Sequence, residues 1–439
     1  MKYYSTNKKA PLASLSQAVI KGLASDRGLY MPEEIPRLPV DVIARMKDQS
    51  FQEIGCVVAR SFFGEDIPQD ALDVLVNDTL NFPTPVVEVE KDIYSLELFH
   101  GPTLAFKDVG GRFMARMLGH FIKEEGNSDV VNVLVATSGD TGSAVANGFL
   151  DVPGIRVYVL YPKGKVSSIQ ECQFTTLGRN IAAIEVDGVF DDCQALVKKA
   201  FMDKGLNDKM KLTSANSINV ARFLPQSFYY FNAYAQLARL DKARNLVVSV
   251  PSGNFGNITA GLFAWWMGLP VKRFIAANNS NDVFLDYLQT GEYKPRPSIA
   301  TIANAMDVGD PSNFARVIDL FSRCAGDTHT AIRKVINGYR YSDVQISECM
   351  QDLYKATGYL LDPHGACAYQ ALKDEDLKKG EVGLFLETAH PAKFKPTVDR
   401  ILGTDIEIPT NLLAFMEGEK KRVEMANDYE TFKSFLEQQ

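Results

Sequence analysis

Lys107 follows an apolar run, Ile93-Tyr-Ser-Leu-Glu-Leu-Phe99, and lies in His100-Gly-Pro-Thr-Leu-Ala-Phe-Lys-Asp108. Phe99, Leu104, Ala105 and Phe106 crowd it with apolar surface. Desolvation disfavours an ammonium, lowers its pKa and frees the amine as a nucleophile or base. An amine of that kind makes Schiff bases with aldehydes. The alternative is a lysine that lays its stem along a core edge and keeps its charge in water. The rest of the chain decides between the two.

Four further clusters bear on that choice. Gly253, Asn254, Phe255, Gly256 and Asn257 form a glycine-rich turn between the apolar run 246–250 and a helical pattern. Glycine lets a backbone approach a ligand closely, and a helix start presents unpaired N–H groups and a positive dipole end, so such a turn can cradle a phosphate. Tight packing alone is the other explanation. Ser138, Gly139, Asp140 and Thr141 form a second turn after the run 131–137, able to hold a carboxylate or a second phosphate; the alternative is an ordinary cap made by Asp140 or Thr141. Asn216, Asn219 and Arg222 follow the run 211–214 and suit an anionic oxygen, although Arg222 could equally pair with a surface carboxylate. Thr388 ends the run 382–387 with a hydroxyl that can donate to a ring nitrogen without adding charge, or simply caps the next helix.

Taken together, an amine for an aldehyde, a helix start for a phosphate and a hydroxyl for a ring nitrogen match the three handles of pyridoxal phosphate. The 138–141 turn is then left for an amino-acid carboxylate.

These residues need elements that bring them together. Short apolar runs at 93–99, 131–137, 155–161, 181–186, 211–214, 246–250, 271–277 and 382–387 read as strands. The runs 131–137 and 246–250 are apolar almost throughout, the pattern of strands covered on both faces. Helical stretches alternate with them over some 300 residues, which predicts an open α/β fold of mostly parallel sheets with helices on both faces. The segment 1–85 reads as mostly helical, and 409–439 as a helical surface extension. Ligands of such sheets gather at the carboxyl ends of strands, and every cluster above lies at one.

The chain has 439 residues, 46% hydrophobic and 23% charged, with net charge -7. That balance fits a globular protein and argues against a nucleic-acid footprint. The runs are too short for a membrane span, and the N-terminus lacks the apolar core of a signal peptide. Six cysteines without a Cys-x-x-Cys pair read as reduced thiols in the cytoplasm. Five histidines without metal spacing argue against a zinc site.

Nearly the whole chain resembles the threonine synthase family of the longer bacterial and fungal type. The resemblance is carried by Ser25-Asp-Arg-Gly-Leu-Tyr30, the 100–108 segment, Ala136-Thr-Ser-Gly-Asp-Thr-Gly142, Ser214-Ala-Asn-Ser-Ile-Asn219, Val250-Pro-Ser-Gly-Asn-Phe-Gly-Asn257, Asn304-Ala-Met-Asp-Val308 and Thr388-Ala-His-Pro-Ala-Lys-Phe394. It implies a tryptophan-synthase-β-like (type II) pyridoxal phosphate fold and conversion of O-phospho-L-homoserine and water to L-threonine and phosphate. It also implies an N-terminal helical domain, 1–85, a large cofactor domain, 86–130 with 241–408, and a smaller, mobile α/β domain, 131–240, carrying the 138–142 turn. It further implies that Lys107 is the Schiff-base lysine, Gly253 to Asn257 the cofactor phosphate loop, Thr388 the partner of the pyridine nitrogen, and Ser138 to Thr141 the carboxylate loop. Asn216, Asn219 and Arg222 would serve the substrate phosphate. The competing readings are a threonine or serine dehydratase on the same fold and a non-catalytic cofactor-binding homologue. Monomer and homodimer are both compatible with the sequence.

Overall fold

The computed structural model describes residues 1–126 and 129–438. They fall into two compact units. The first comprises Met1, Met31–Phe106 and Phe223–Glu407; the second comprises Lys2–Tyr30, Lys107–Arg222 and Ile408–Gln439.

The first unit is built on a six-stranded sheet in the order Ile336–Arg340, Val271–Asn278, Leu246–Pro251, Val382–Glu387, Ile93–Glu97, Val86–Glu90. Every neighbouring pair is parallel except the last, where Val86–Glu90 runs antiparallel to Ile93–Glu97. The central strands Leu246–Pro251 and Val382–Glu387 are buried at every position, as their apolar runs predict. The chain order reverses between these two: from Leu246–Pro251 it steps outward to Val271–Asn278 and Ile336–Arg340, then returns to Val382–Glu387 on the other side. Such a switch point leaves a crevice at the strands' carboxyl ends.

The second unit holds a five-stranded parallel sheet, in the order Val423–Ala426, Ile181–Asp187, Ile155–Pro162, Val131–Ala136, Lys211–Ser214. Its reversal falls between Val131–Ala136 and Lys211–Ser214.

The units divide the chain differently from the predicted domains. Helix Lys107–Glu125 goes with the second unit because glycines let it lie against helix Asp140–Phe149: a Cβ on Gly111 would stand 2.8 Å from the Ala144 carbonyl oxygen, and one on Gly148 would stand 2.9 Å from the Gly111 carbonyl carbon. Residues 223–240 go with the first unit, where the Tyr230 ring covers Gly261 at 2.7 Å from a would-be Cβ. The C-terminal segment is more than a helical surface extension. Val423–Ala426 adds a sheet strand, and helix Tyr429–Glu437 buries Phe432 and Leu436, one turn apart, in the core with Leu134, Leu160 and Ile184. Within the N-terminal helical segment, Ser50 and Glu53 form a capping box that starts helix Phe51–Phe63.

In the two large sheets, three strands escape the sequence reading: Val86–Glu90, Ile336–Arg340 and Val423–Ala426. All three are sheet edges. Half-solvated edges carry polar residues and lack the apolar run that marks a central strand.

Candidate functional site

In the first unit, the Gly253 turn and Thr388 end neighbouring parallel strands at the switch point. Gly253 has to be glycine, since a Cβ there would stand 2.7 Å from the Met306 Cα and 2.9 Å from the Ala305 carbonyl oxygen. Ser252 donates its N–H to Ala277 at 2.8 Å, and its carbonyl accepts from Asn278 Nδ2 at 2.7 Å, which fixes the turn's entry. Phe255 adopts a left-handed conformation, φ 63°, at the N-cap of helix Gly256–Trp266. Asn254 stabilises that strained bend: its carbonyl accepts from Asn313 Nδ2 at 3.0 Å, and its Oδ1 accepts from the Ser312 N–H at 2.7 Å. The helix start has no side-chain cap. Its first N–H groups have no acceptor within the helix.

Asn257 sharpens this picture. Its Oδ1 accepts from the hydroxyls of Tyr229 at 2.9 Å and Tyr230 at 2.7 Å. Complete burial holds both tyrosine pKa values far above the ordinary range, so both remain donors. That arrangement orients the amide. Its Nδ2 is left as a buried donor with no hydrogen-bond partner among the described residues. A buried, unpaired donor beside bare helix N–H groups suits an anion, and the residues present therefore fit a phosphate.

Thr388 is buried, 6% exposed. The segment around it clasps the segment that leads to Lys107. The Thr388 carbonyl accepts from the Phe106 N–H at 2.9 Å, Ala389 bridges Ala105, and the His390 N–H donates to the Leu104 carbonyl at 3.0 Å. Lys393, fully buried, donates its Nζ to the Thr103 carbonyl at 2.8 Å. Leu104 is held at φ 55° within this clasp. His390 is driven down to about 4 by burial and then by nearby His100. Lys107 is the next residue after Phe106, is half-buried, and opens helix Lys107–Glu125.

In the second unit, the two remaining clusters lie side by side at the other switch point. Thr137 Oγ1 accepts from the N–H groups of Gly139 at 2.9 Å and Gly142 at 2.8 Å, folding the turn back on itself. Gly139 has φ 142°, and a Cβ there would strike the Gln170 side chain at 2.6 Å. Neither Asp140 nor Thr141 is the cap: Gly139 holds that position without a side-chain hydrogen bond. The Asp140 carboxylate is buried and accepts from Gln170 Nε2 at 2.8 Å. Ser138 and Thr141 are half-buried.

Asn216 Nδ2 reaches the Ala136 carbonyl at 3.2 Å, tying the two turns together. Asn219 is fully buried and spends its amide internally, donating to Val19 at 2.9 Å and Ser214 at 3.2 Å while Oδ1 accepts from the Ala221 N–H at 3.0 Å. Arg222 is not on the surface; it is 2% exposed and bonds the Ala215 carbonyl at 2.5 Å. Burial pulls its pKa down to about 10 against the opposing charge of Asp108.

The sequence reading did not single out Asn313, Tyr229, Tyr230 or Lys393 as functional residues. Lys393 lay within a quoted motif; the others come from distant segments and carry no local signal.

Among the described residues no cluster of His, Cys, Asp or Glu could hold a metal ion, and no helix is long and apolar enough to cross a membrane.

The profile of the family of pyridoxal-phosphate dependent enzymes matches residues 78–388. Profiles for the threonine synthase N terminus and C-terminal region match residues 2–80 and 364–436. Threonine synthase of Serratia marcescens is 47% identical over 413 residues, covering 94% of this chain and 93% of its own. The chain belongs to the threonine synthase family. The crystal structure of threonine synthase from Escherichia coli superposes with a TM-score of 0.93 at 44% identity, covering 100% of both chains. A threonine synthase from Brucella melitensis, solved with bound pyridoxal phosphate, gives 0.92 at 33% identity, covering 100% of this chain and 99% of its own. The chain is thus a pyridoxal-phosphate-dependent lyase with the fold of that family and a small-molecule substrate.

Proposed function

We propose that the chain converts O-phospho-L-homoserine and water to L-threonine and phosphate, with Lys107, the 253–257 turn and Thr388 holding the cofactor. The observation that carries the reading is the unpaired Asn257 Nδ2 at a bare helix start, one strand away from Thr388. When bound, pyridoxal phosphate supplies an aldehyde for the substrate amine and a ring that accepts electrons from Cα.

The chain's own residues do the rest. The N–H groups of Gly256 and Asn257, with Asn257 Nδ2, take the cofactor phosphate. Thr388 offers a neutral hydroxyl to the ring nitrogen, which leaves that nitrogen without a counter-charge. Lys107 would hold the aldehyde, and its Nζ, free and uncharged, would accept the Cα proton, serve at Cβ as phosphate leaves, and return a proton to Cα after water adds. The turn Ser138, Gly139, Asp140, Thr141 holds the substrate carboxylate through its backbone N–H groups, Asp140 shaping the turn through Gln170. Asn216, Asn219 and Arg222 serve the substrate phosphate, with Asn219 and Arg222 acting from buried positions on the backbone around Ser214 and Ala215. The compartment is the cytoplasm, in keeping with cysteines that are unpaired among the described residues.

Phosphate release from O-phospho-L-homoserine, measured beside threonine and serine as substrates, tests the reading. Phosphate and threonine formed together support it. Ammonia release from threonine or serine without turnover of the phosphorylated substrate would assign the chain to the dehydratases.

A further inference from the structure

Behind the cofactor turn, the first unit contains a line of buried polar side chains that the mechanism above leaves unused. Asp362 and Glu387 are 0% exposed and His364 is 2% exposed. Asp362 caps helix Pro363–Asp374, accepting from the His364 N–H at 2.7 Å and the Gly365 N–H at 3.4 Å. The same carboxylate oxygen meets the His364 ring at Nδ1. On the far side of the ring, Nε2 faces the backbone N–H of Ala305 at 3.2 Å. A ring nitrogen that accepts an N–H carries no proton, so the ring proton sits on Nδ1 and is donated to Asp362. The carboxylate thus fixes both the tautomer and the orientation of the ring.

Ala305 links this line to the cofactor turn. Its carbonyl and the Met306 Cα are the atoms a Cβ on Gly253 would strike. The 305–306 backbone is therefore the floor on which the Gly253 turn rests. A second anchor holds the same segment: the Asp307 carboxylate accepts from Asn279 Nδ2 at 2.8 Å and from the Thr301 N–H at 3.0 Å and hydroxyl at 2.7 Å.

The other end of the line is Glu387, the residue directly before Thr388. Its carboxyl fills the space a side chain at Gly365 would need: a Cβ there would stand 2.2 Å from Oε1. Burial, and then the charge of Asp362, raise Glu387 well above the usual carboxylate range, so it packs there as a neutral acid. The Glu387 carbonyl accepts from the Leu98 N–H at 2.9 Å and holds the strand end in register.

We propose that His364 is a positioning residue for the cofactor phosphate: held by Asp362, it fixes the 305–306 floor and so sets the Gly253 turn, while Glu387 packs the same helix start against the strand end that carries Thr388. The inference rests on reading the 253–257 turn as the phosphate site.

Purified full-length variants, titrated with pyridoxal 5'-phosphate and separately with pyridoxal, provide the test. Pyridoxal lacks the phosphate and is blind to the turn. Losing one buried hydrogen bond that shapes the turn should weaken pyridoxal 5'-phosphate binding roughly tenfold in His364→Ala and leave pyridoxal binding unchanged. His364→Gln places an amide oxygen near the Ala305 N–H and should retain most of the affinity, whereas His364→Met, of similar length without an acceptor, should behave as alanine does. Equal weakening for both ligands, or a glutamine variant as weak as the methionine variant, would overturn the proposal. So would failure of all three variants to fold, which would assign His364 to stability alone. Gly253→Ala separates the two levels of inference. If it leaves the preference for the phosphorylated ligand intact, the reading of the turn fails. If it abolishes that preference while His364→Ala does not, only the present proposal fails.

Discussion

The two switch points place glycine-bearing turns at helix starts without side-chain caps, and they are finished in opposite ways. At the first, the support comes from elsewhere in the unit: Asn313 on the Asn254 carbonyl, two tyrosine hydroxyls on Asn257, and the 305–306 backbone under Gly253. Among the buried atoms left without a partner there is a donor, Asn257 Nδ2. At the second, Thr137 folds the turn onto its own N–H groups, and Asp140 is bound by Gln170. The buried unpaired atom there is an acceptor, Gln170 Oε1. A donor aimed from a rigid frame suits an anion that stays bound, as proposed for the cofactor phosphate. A turn held mainly by its own backbone can meet a substrate that comes and goes. Equivalent positions in the topology are therefore built differently: one turn is held by side chains from other segments, the other largely by its own backbone.

The proposed roles of the two turns break most severely at Lys107, the proposed Schiff-base lysine. Lys107→Ala should lower turnover by at least about a thousandfold, the usual scale for removing a proton-transfer group, measured as phosphate release. Near-wild-type turnover would remove the reason for placing either turn in an active site.

Acid should weaken the first site's frame before the second's. His390 is held near 4 against an ordinary 6.5, so below about 6.5 the unfolded chain binds a proton that the folded chain refuses. Its stabilising contribution is complete above 6.5 and is lost as pH falls through 4. At about 1.4 kcal/mol per unit this amounts to roughly 3 kcal/mol. The groups facing it act both ways, His100 and Lys393 lowering its pKa and Glu97 and Asp362 raising it. Urea unfolding at pH 7.5 and 4.5 should show the loss, and His390→Gln should flatten it; an unchanged slope would mean the ring is not buried neutral.

Asn257→Asp puts a carboxylate where the unpaired donor now sits. Cofactor affinity should fall by about 2 kcal/mol, roughly thirtyfold, while Asn216→Asp should alter the Michaelis constant of the substrate and leave cofactor affinity alone. Reversed outcomes would exchange the roles of the two turns. The smallest effect is expected at Gly139. Gly139→Ala forces a Cβ onto Gln170 from φ 142° and should cost about 1–2 kcal/mol of stability, read by thermal unfolding, with the cofactor constant unchanged.

Much of this was legible in the sequence, and the remainder has a physical pattern. Central strands such as Leu246–Pro251 announce themselves because burial on both faces demands an apolar run. The missed edge strand Ile336–Arg340 buries only Ile336, so its polar residues look like loop. The site divides in the same way. The turns proposed to meet ligands are contiguous, and their glycines and hydroxyls stand together in the chain. The residues that hold them, Asn313, His364 and Tyr229, arrive from other elements, and only the fold brings them near. Arg222 and Asn219 mark a further limit: nothing in the sequence shows that both are buried and bonded to backbone carbonyls of their own unit. Residue type does not say which donors are already engaged.

Borohydride reduction of the purified, cofactor-loaded protein, followed by mass mapping of the modified peptide, tests the central claim most directly. The account predicts a visible absorbance that reduction removes and a single pyridoxyl group on Lys107. A colourless, folded protein that takes up no cofactor, or a modification found on Lys393 in its place, would contradict it.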